Sequence, residues 1–372
     1  MKVMLSGALL ASIPSMLFAV PEEPQDLAPI LAPILEGSGL PSLAAALVVG
    51  DELRAIGAVG VRKLGDEEPV TVTDKYHLGS CTKTMTATLA AVLVEDGILE
   101  WDSTVGEVLG KKVRHLHEGF ANVTLEQLLA HVGGLPGTAP PVPWVKAYAA
   151  QGKESPEDQR LAFVRALLSE EPAYPAGSKS VYSNQGYAVA GAMMEVRAGK
   201  SWEELMRERL FKPLGMDSAG FREPASGRRE PDQPWGHKGK VPVAPGPRAD
   251  NPDAIGPAAT VHASIGDWAK FAQFHLLRQP GRVLKEAASF DRLHQTLEES
   301  DAYGVGGWLV HDIERYGGHC LQMTGSNTMW FALMWVLPGQ DRAILVTTNC
   351  LQGNAFATCD QVAAALMKLG VK

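Results

Sequence analysis

Ser80 and Lys83 stand three residues apart in Ser80-Cys81-Thr82-Lys83, a spacing that puts a hydroxyl and an amine on one face of a helix. A serine hydroxyl becomes a useful nucleophile only when a neighbouring base takes its proton. Lysine can be that base once burial or positive potential pulls its pKa from about 10.4 towards neutrality. Free amides at a helix start supply such potential and offer the Ser80 N–H to an oxyanion. Far downstream, Tyr182-Ser183-Asn184 follows the loop-like run Pro172-Ala173-Tyr174-Pro175-Ala176-Gly177-Ser178. Together the two triplets suggest acyl transfer by a serine activated by lysine and tyrosine, with no histidine needed. Each has a bland counterpart: Ser80 as a helix cap before a surface lysine, Tyr182 as a packing ring, Asn184 as a turn former.

These side chains need elements to hold them. Met85, Leu89 and Leu93 repeat every four residues after Ser80 and Gly97 offers a stop, so a helix is expected there. Threonines 82, 84, 86 and 88 are weak helix formers, so tertiary packing must support it. Leu43–Val49 and Arg54–Val61 read as strands around Gly50-Asp51. Helical spacing covers Tyr187 to Val196, Trp202–Leu210 and Ser264–Leu277, the last with Ser264 as cap. Residues 223–258 carry eight prolines and read as a long loop region with room for short strands. Strand patterns return at Val305–Val310, Thr328–Leu337 and Ala343–Asn349, before a final helix Phe356–Met367. The two ends of the chain are therefore expected to share one sheet, with a mainly helical middle inserted. No internal repeat is apparent.

Several further segments carry a family likeness. Thr124-Leu125-Glu126-Gln127-Leu128-Leu129-Ala130-His131-Val132-Gly133-Gly134-Leu135-Pro136 has a helix-and-turn signature. Phe211-Lys212-Pro213-Leu214-Gly215-Met216, Gly266-Asp267-Trp268-Ala269-Lys270-Phe271 and Tyr303-Gly304-Val305-Gly306-Gly307-Trp308 follow in order. With Ser-x-x-Lys and Tyr-Ser-Asn, the pattern resembles the serine β-lactamase and penicillin-binding-protein superfamily over nearly the whole chain. Its nearest branches are class C β-lactamases, D-alanyl-D-alanine carboxypeptidases and family VIII carboxylesterases.

The resemblance implies a β-lactamase/transpeptidase-like α/β fold: an antiparallel sheet flanked by helices and built from both chain ends, with an inserted, mainly helical lobe. It implies one catalytic unit over residues 20–372, with the α/β lobe from residues 20–97 and 290–372 and the helical lobe from 98–289. By matching motif, Ser80, Lys83 and Tyr182 are catalytic, and Asn184, Thr324, Gly325 and Ser326 bind substrate. The Ser80 and Ser326 amides form the oxyanion hole, and no cofactor or metal is required. Whether Lys83 or Tyr182 is the primary base stays open. The chain departs from the family at Met323-Thr324-Gly325, where a lysine or histidine is expected in place of Met323. That cation helps bind a substrate carboxylate, and a lost charge-assisted hydrogen bond is worth about 10- to 100-fold. His319 and Arg315 are the candidates to replace it. Simple esters lack the carboxylate, so an esterase-like serine hydrolase is expected, with a D-amino-acid peptidase or weak β-lactamase as runner-up. A penicillin-recognising binding protein with little turnover is the alternative of another class. A conventional α/β-hydrolase is disfavoured, since no Gly-x-Ser-x-Gly occurs.

Composition agrees with an exported hydrolase. Residues 1–19 read as a signal peptide, with Lys2, an apolar run from Met4 to Phe18 and Ala19 at the cleavage point, implying periplasmic or secreted localisation. The run is too short for a membrane span, so no stable membrane insertion is expected after its removal. An uncleaved anchor or a mis-chosen start codon is the alternative. The net charge of −8, without an evident basic cluster, argues against nucleic acid and anionic membrane surfaces as partners. The expected partner is a small ester, amide or peptide substrate; the oligomeric state is not legible. Cys81, Cys320, Cys350 and Cys359 lack zinc-ligand spacing, and their pairing cannot be read, although Cys350 and Cys359 could bridge the last strand and helix. His115-Leu116-His117 looks like a metal pair, but a solvated loop fits better. Pro140-Pro141-Val142-Pro143-Trp144 is either an acyl-pocket wall or a stiff surface loop.

Overall fold

The computed structural model describes residues 23–370 apart from 228 and 301, so the signal peptide expected at residues 1–19 lies outside the described residues. The strands are β1 (Gln25–Asp26), β2 (Ser42–Val49), β3 (Glu52–Gly60), β4 (Lys75–His77), β5 (Gly220–Phe221), β6 (Gly236–Lys238), β7 (Val241–Val243), β8 (Val261–Ser264), β9 (Leu309–Ile313), β10 (Gly318–Gly325), β11 (Phe331–Leu337) and β12 (Arg342–Thr348). Seven form the main sheet in the order β1-β3-β2-β12-β11-β10-β9, antiparallel except for the β1–β3 pair. Strands β2 and β12, from opposite ends of the chain, thus meet at its centre, where Ala45 of β2 lies opposite Val346 of β12.

The near-continuous apolar runs of β2, β11 and β12 follow from burial on both faces. Ala44, Ala46 and Val48 of β2 join Met334 and Leu345 in the larger core, towards the helical middle. Their sequence neighbours Leu43, Ala45 and Leu47 join Leu333 and Ile344 in a second core. The terminal helices Ala28–Ser38 and Ala355–Met367 close that second face, contributing Leu31, Cys359, Val362 and Leu366. Helix Ile265–Leu277 belongs by sequence order to the middle segment, yet it packs on β2, β11 and β12. Its amphipathic stripe of Ile265, Trp268, Phe271 and Ala272 needs an apolar face, and the sheet supplies it.

Two sequence expectations change in detail. The strand expected at Val305–Val310 forms at Leu309–Ile313, because Val305 N–H is taken in a turn by the Gln295 carbonyl (3.0 Å). The helix expected over Trp202–Leu210 is α-helical only to Met206 and continues as a π-helical turn, Arg207–Phe211. All four cysteines are free and buried, so Cys350 and Cys359 are not bridged. His117 caps the helix Glu118–Ala121, its Nδ1 accepting from Gly119 N–H at 3.1 Å. In addition, Lys111, Lys112, Arg114, His115 and Arg165 gather around one surface cavity, a local basic patch not apparent from the charge balance.

Candidate active site

Ser80 lies in a single 3-10 turn, Gly79–Cys81, that leads directly into the helix Thr82–Glu95. Every residue from Thr82 to Leu93 is buried, which is how a helix rich in threonine persists. The threonine hydroxyls are satisfied: Thr84 donates to Cys81 O (2.9 Å), Thr86 to Pro257 O (2.6 Å) and Thr88 to Thr84 O (2.8 Å). The end of β10 presses against the nucleophile turn. A β-carbon at Gly79 (φ +51°) would lie 2.2 Å from Ser326 N, and one at Gly325 would lie 2.0 Å from Leu78 O and 2.7 Å from Ser80 N. Only glycine at both positions lets the two backbones approach so closely. The amides of Ser80 and Ser326 are thereby brought to neighbouring positions beside the Ser80 hydroxyl.

Lys83 is fully buried, and its Nζ has three polar neighbours: Ser80 Oγ at 3.2 Å, Asn184 Oδ1 at 2.6 Å and Ala258 O at 3.0 Å. Burial holds its pKa well below the ordinary lysine value, only partly opposed by the nearby Cys81. Asn184 is the first residue of the helix Asn184–Ala198 and faces the amine, so its carbonyl oxygen is engaged by Lys83 rather than left for substrate. Ala258, from the helix Gly256–Ala259, was invisible to sequence reasoning because a backbone carbonyl has no residue signature.

Tyr182 is held just before the same helix. Ser183 caps that helix by accepting from Gly186 N–H (3.3 Å) and donates its own hydroxyl to Pro136 O (2.8 Å). Burial raises the pKa of the Tyr182 phenol, and the neighbouring Ser80 side chain only partly offsets that. Its ring centre is 4.6 Å from Lys83 Nζ. His131 grips the tyrosine from both sides: its carbonyl accepts from Val181 N–H (2.8 Å), and its Nδ1 accepts from Ser183 N–H (3.0 Å). The imidazole lies against the Tyr182 ring with centroids 4.6 Å apart, in a residue strained to φ +64°. Burial, then the proximity of Lys83, keeps this histidine well below its usual pKa. Sequence reasoning saw His131 only as part of a motif; its place, with only Val132 between it and the Gly133-Gly134 pair, was the available signal.

The third motif lies where expected, with Thr324 and Ser326 half-buried beside the nucleophile turn. Met323 is 2% exposed and packs into the larger core, its carbonyl accepting from Cys81 Sγ at 3.8 Å. His319 does not replace the missing cation. It lies four residues up the same strand, roughly 13 Å away at strand rise, and faces Asp312 at 3.9 Å. The side chain of Arg315 lies outside what is described. The segment Pro140–Trp144 opens a helix, Pro141–Ala150; Pro140, Val142 and Pro143 line a cavity of about 460 Å³ with Phe120 and Leu167. None of Ser80, Lys83 or Tyr182 lines that cavity.

The fold is that of β-lactamase and penicillin-binding-protein relatives. The family model described as Beta-lactamase matches residues 27–367, and the chain belongs to that family of serine hydrolases and penicillin-binding proteins, which act on small ester, amide or peptide substrates. Penicillin-binding protein 4 of Amycolatopsis lactamdurans is 29% identical over 331 residues, covering 86% of this chain and 83% of its own. An unguisins hydrolase of Aspergillus campestris (strain IBT 28561) is 27% identical over 265 residues, 69% of this chain and 48% of the hydrolase, so the chain spans about half of that relative. Among solved structures, a D-stereospecific amidohydrolase from Streptomyces sp. shares the fold with a TM-score of 0.67 at 22% identity, covering 90% of this chain and 96% of that one.

Proposed function

We propose that this protein is an exported, esterase-like serine hydrolase that works through a Ser80 acyl-enzyme on substrates without an essential carboxylate. The observation that carries the reading is the proton inventory at Lys83. A neutral amine has two N–H donors and one lone pair. Two of its three neighbours, Asn184 Oδ1 and Ala258 O, are acceptors only and take both protons. The lone pair is left for the third, the Ser80 hydroxyl. Burial, which disfavours the ammonium form, supports the same state. Lys83 is then the base, and Tyr182, whose phenol is held in its protonated form, is the acid.

In this mechanism Ser80 Oγ attacks the substrate carbonyl as its proton passes to Lys83. The Ser80 and Ser326 amides hold the resulting oxyanion. As the carbon–oxygen bond to the leaving group breaks, Tyr182 donates its proton to the departing alkoxide and is reprotonated from Lys83. Water then attacks the acyl-enzyme by the same route in reverse, releasing the acid and restoring Ser80. Met323 supports the preference for uncharged substrates, since it offers a carboxylate no charge-assisted hydrogen bond. Export rests on the leader pattern of residues 1–19.

The test is intact-protein mass spectrometry alongside steady-state hydrolysis of neutral and carboxylate-bearing p-nitrophenyl esters. Wild type is expected to gain one acyl mass on Ser80 and to favour the neutral esters. Ser80→Ala is expected to lose both acylation and turnover, and an unchanged rate in that variant would end the assignment.

A further inference from the structure

His77, Asp250 and Asn327 form a second polar cluster behind the nucleophile turn that the proton chemistry above does not use. They are 0%, 1% and 4% exposed. His77 Nδ1 accepts from Gly79 N–H at 3.1 Å, which leaves the ring proton on Nε2, facing Asp250 Oδ2 at 2.8 Å. The other carboxylate oxygen, Oδ1, accepts from Asn327 Nδ2 at 2.9 Å and from Asn251 N–H at 2.7 Å. Asn327 Oδ1 in turn accepts from Met329 N–H at 3.2 Å, and Tyr148 donates to the Asp250 carbonyl at 3.2 Å. A histidine–aspartate pair near a serine invites comparison with a charge-relay base. The geometry excludes that role, because both ring nitrogens are already engaged and neither faces Ser80 Oγ.

What the cluster does follow is the backbone. Gly79 immediately precedes Ser80, and Asn327 immediately follows Ser326. One carboxylate therefore holds, through one side chain each, the two segments that present the proposed oxyanion amides. These segments are distant in sequence and otherwise meet through the Gly79–Gly325 backbone approach and the Cys81–Met323 contact, and the clamp adds side-chain bonds that are shielded from water. We propose that Asp250 is the positioning residue of the oxyanion site, setting the spacing of the Ser80 and Ser326 amides through His77 and Asn327. The inference rests on the Ser80 acyl-enzyme reading and adds to it the residues that hold the amides in register.

A misplaced donor costs most where charge develops, so the loss belongs in the transition state and not in ground-state binding. The experiment compares wild type, Asp250→Ala, Asn327→Ala and the exchanged pair Asp250→Asn/Asn327→Asp. Active sites are counted by end-point labelling with a fluorophosphonate, and kcat/KM for a neutral p-nitrophenyl ester is expressed per labelled site. Affinity for a boronic acid, which mimics the tetrahedral oxyanion, is measured in parallel. Binding of the same ester is measured in the Ser80→Ala background. Both alanine variants are expected to lose on the order of 10- to 100-fold in kcat/KM and in boronate affinity together, with ester binding unchanged. The exchanged pair keeps the 250–327 and His77 bonds and forfeits only that from Asn251, so it should recover most of the loss. Asn327→Ala cuts a single arm and keeps the test open if Asp250→Ala does not fold. Unchanged kcat/KM per site, or an equal fall in ester binding, would overturn the inference alone. A wild type that does not label at Ser80 would overturn both it and the acyl-enzyme reading.

Discussion

At the scale of single residues, the chemistry proposed here turns on which atoms surround one nitrogen. Lys83 Nζ meets two pure acceptors and one hydroxyl, and Asn184 supplies the shorter of the two acceptor contacts at 2.6 Å. Replacing Asn184 by aspartate puts a carboxylate where a neutral amide now stands. An opposite charge at that distance favours the ammonium form and raises the lysine pKa, typically by 1–3 units. If neutral Lys83 is the base, activity rises with pH through the lysine pKa, so the acidic limb of the kcat/KM profile should move to higher pH in Asn184→Asp. At neutral pH the variant should be about 10-fold slower or worse, recovering as pH rises. A profile that stays in place would show that Lys83 is not the titrating base. The role of Asn184 is one that motif matching assigned to substrate binding; the direction of its side chain could not be read from a triplet of residue names.

At the scale of elements, the helix that carries Asn184 is secured far from the site. Arg160, 0% exposed, comes from the helix Pro156–Leu168 and is hydrogen-bonded to Glu195, to Glu203 at 2.6 Å and to the Asp253 carbonyl at 3.2 Å. It ties the helix Asn184–Ala198 to the helix Trp202–Met206 and to the proline-rich segment. Removing one partner of such a pair strands a buried carboxylate, so Arg160→Met is expected to cost about 3–5 kcal/mol in urea unfolding. Double substitution with Glu195→Leu should recover part of that, because only the less buried Glu203 is then left without its arginine. The caps of these elements were legible: Ser264 was expected to cap its helix and does so, accepting from Asp267 N–H at 3.3 Å. The helix after Tyr182 begins at Asn184 instead of Tyr187, since the Ser183 cap draws the first turn upstream. Strand β10 was not marked as a strand, because His319, Gln322 and Thr324 interrupt its apolar pattern.

At the scale of the whole molecule, stability comes from a sheet that both chain ends complete and that is covered on each face. None of it depends on disulfides: the four cysteines are free and buried, Cys359 at the terminal-helix contact and Cys81 beside the nucleophile. The thermal midpoint should therefore be the same with and without reductant, and a thiol titration in denaturant should count four per chain. A midpoint that drops on reduction would contradict the unbridged arrangement.

The sequence by itself determined the family, the antiparallel sheet shared by the termini and the short-range groupings around Ser80, Tyr182 and Thr324, because these depend on spacing of a few residues and on period-two or period-four burial. Tertiary structure alone decided which groups complete them. The Ala258 carbonyl, the grip of His131 on Tyr182 and the Asp250 clamp are contacts between segments distant in the chain, and one is made by a backbone atom that every residue has. The physical reason is that side-chain periodicity reports the face a residue presents, while the partner met on that face is set only when the whole core closes.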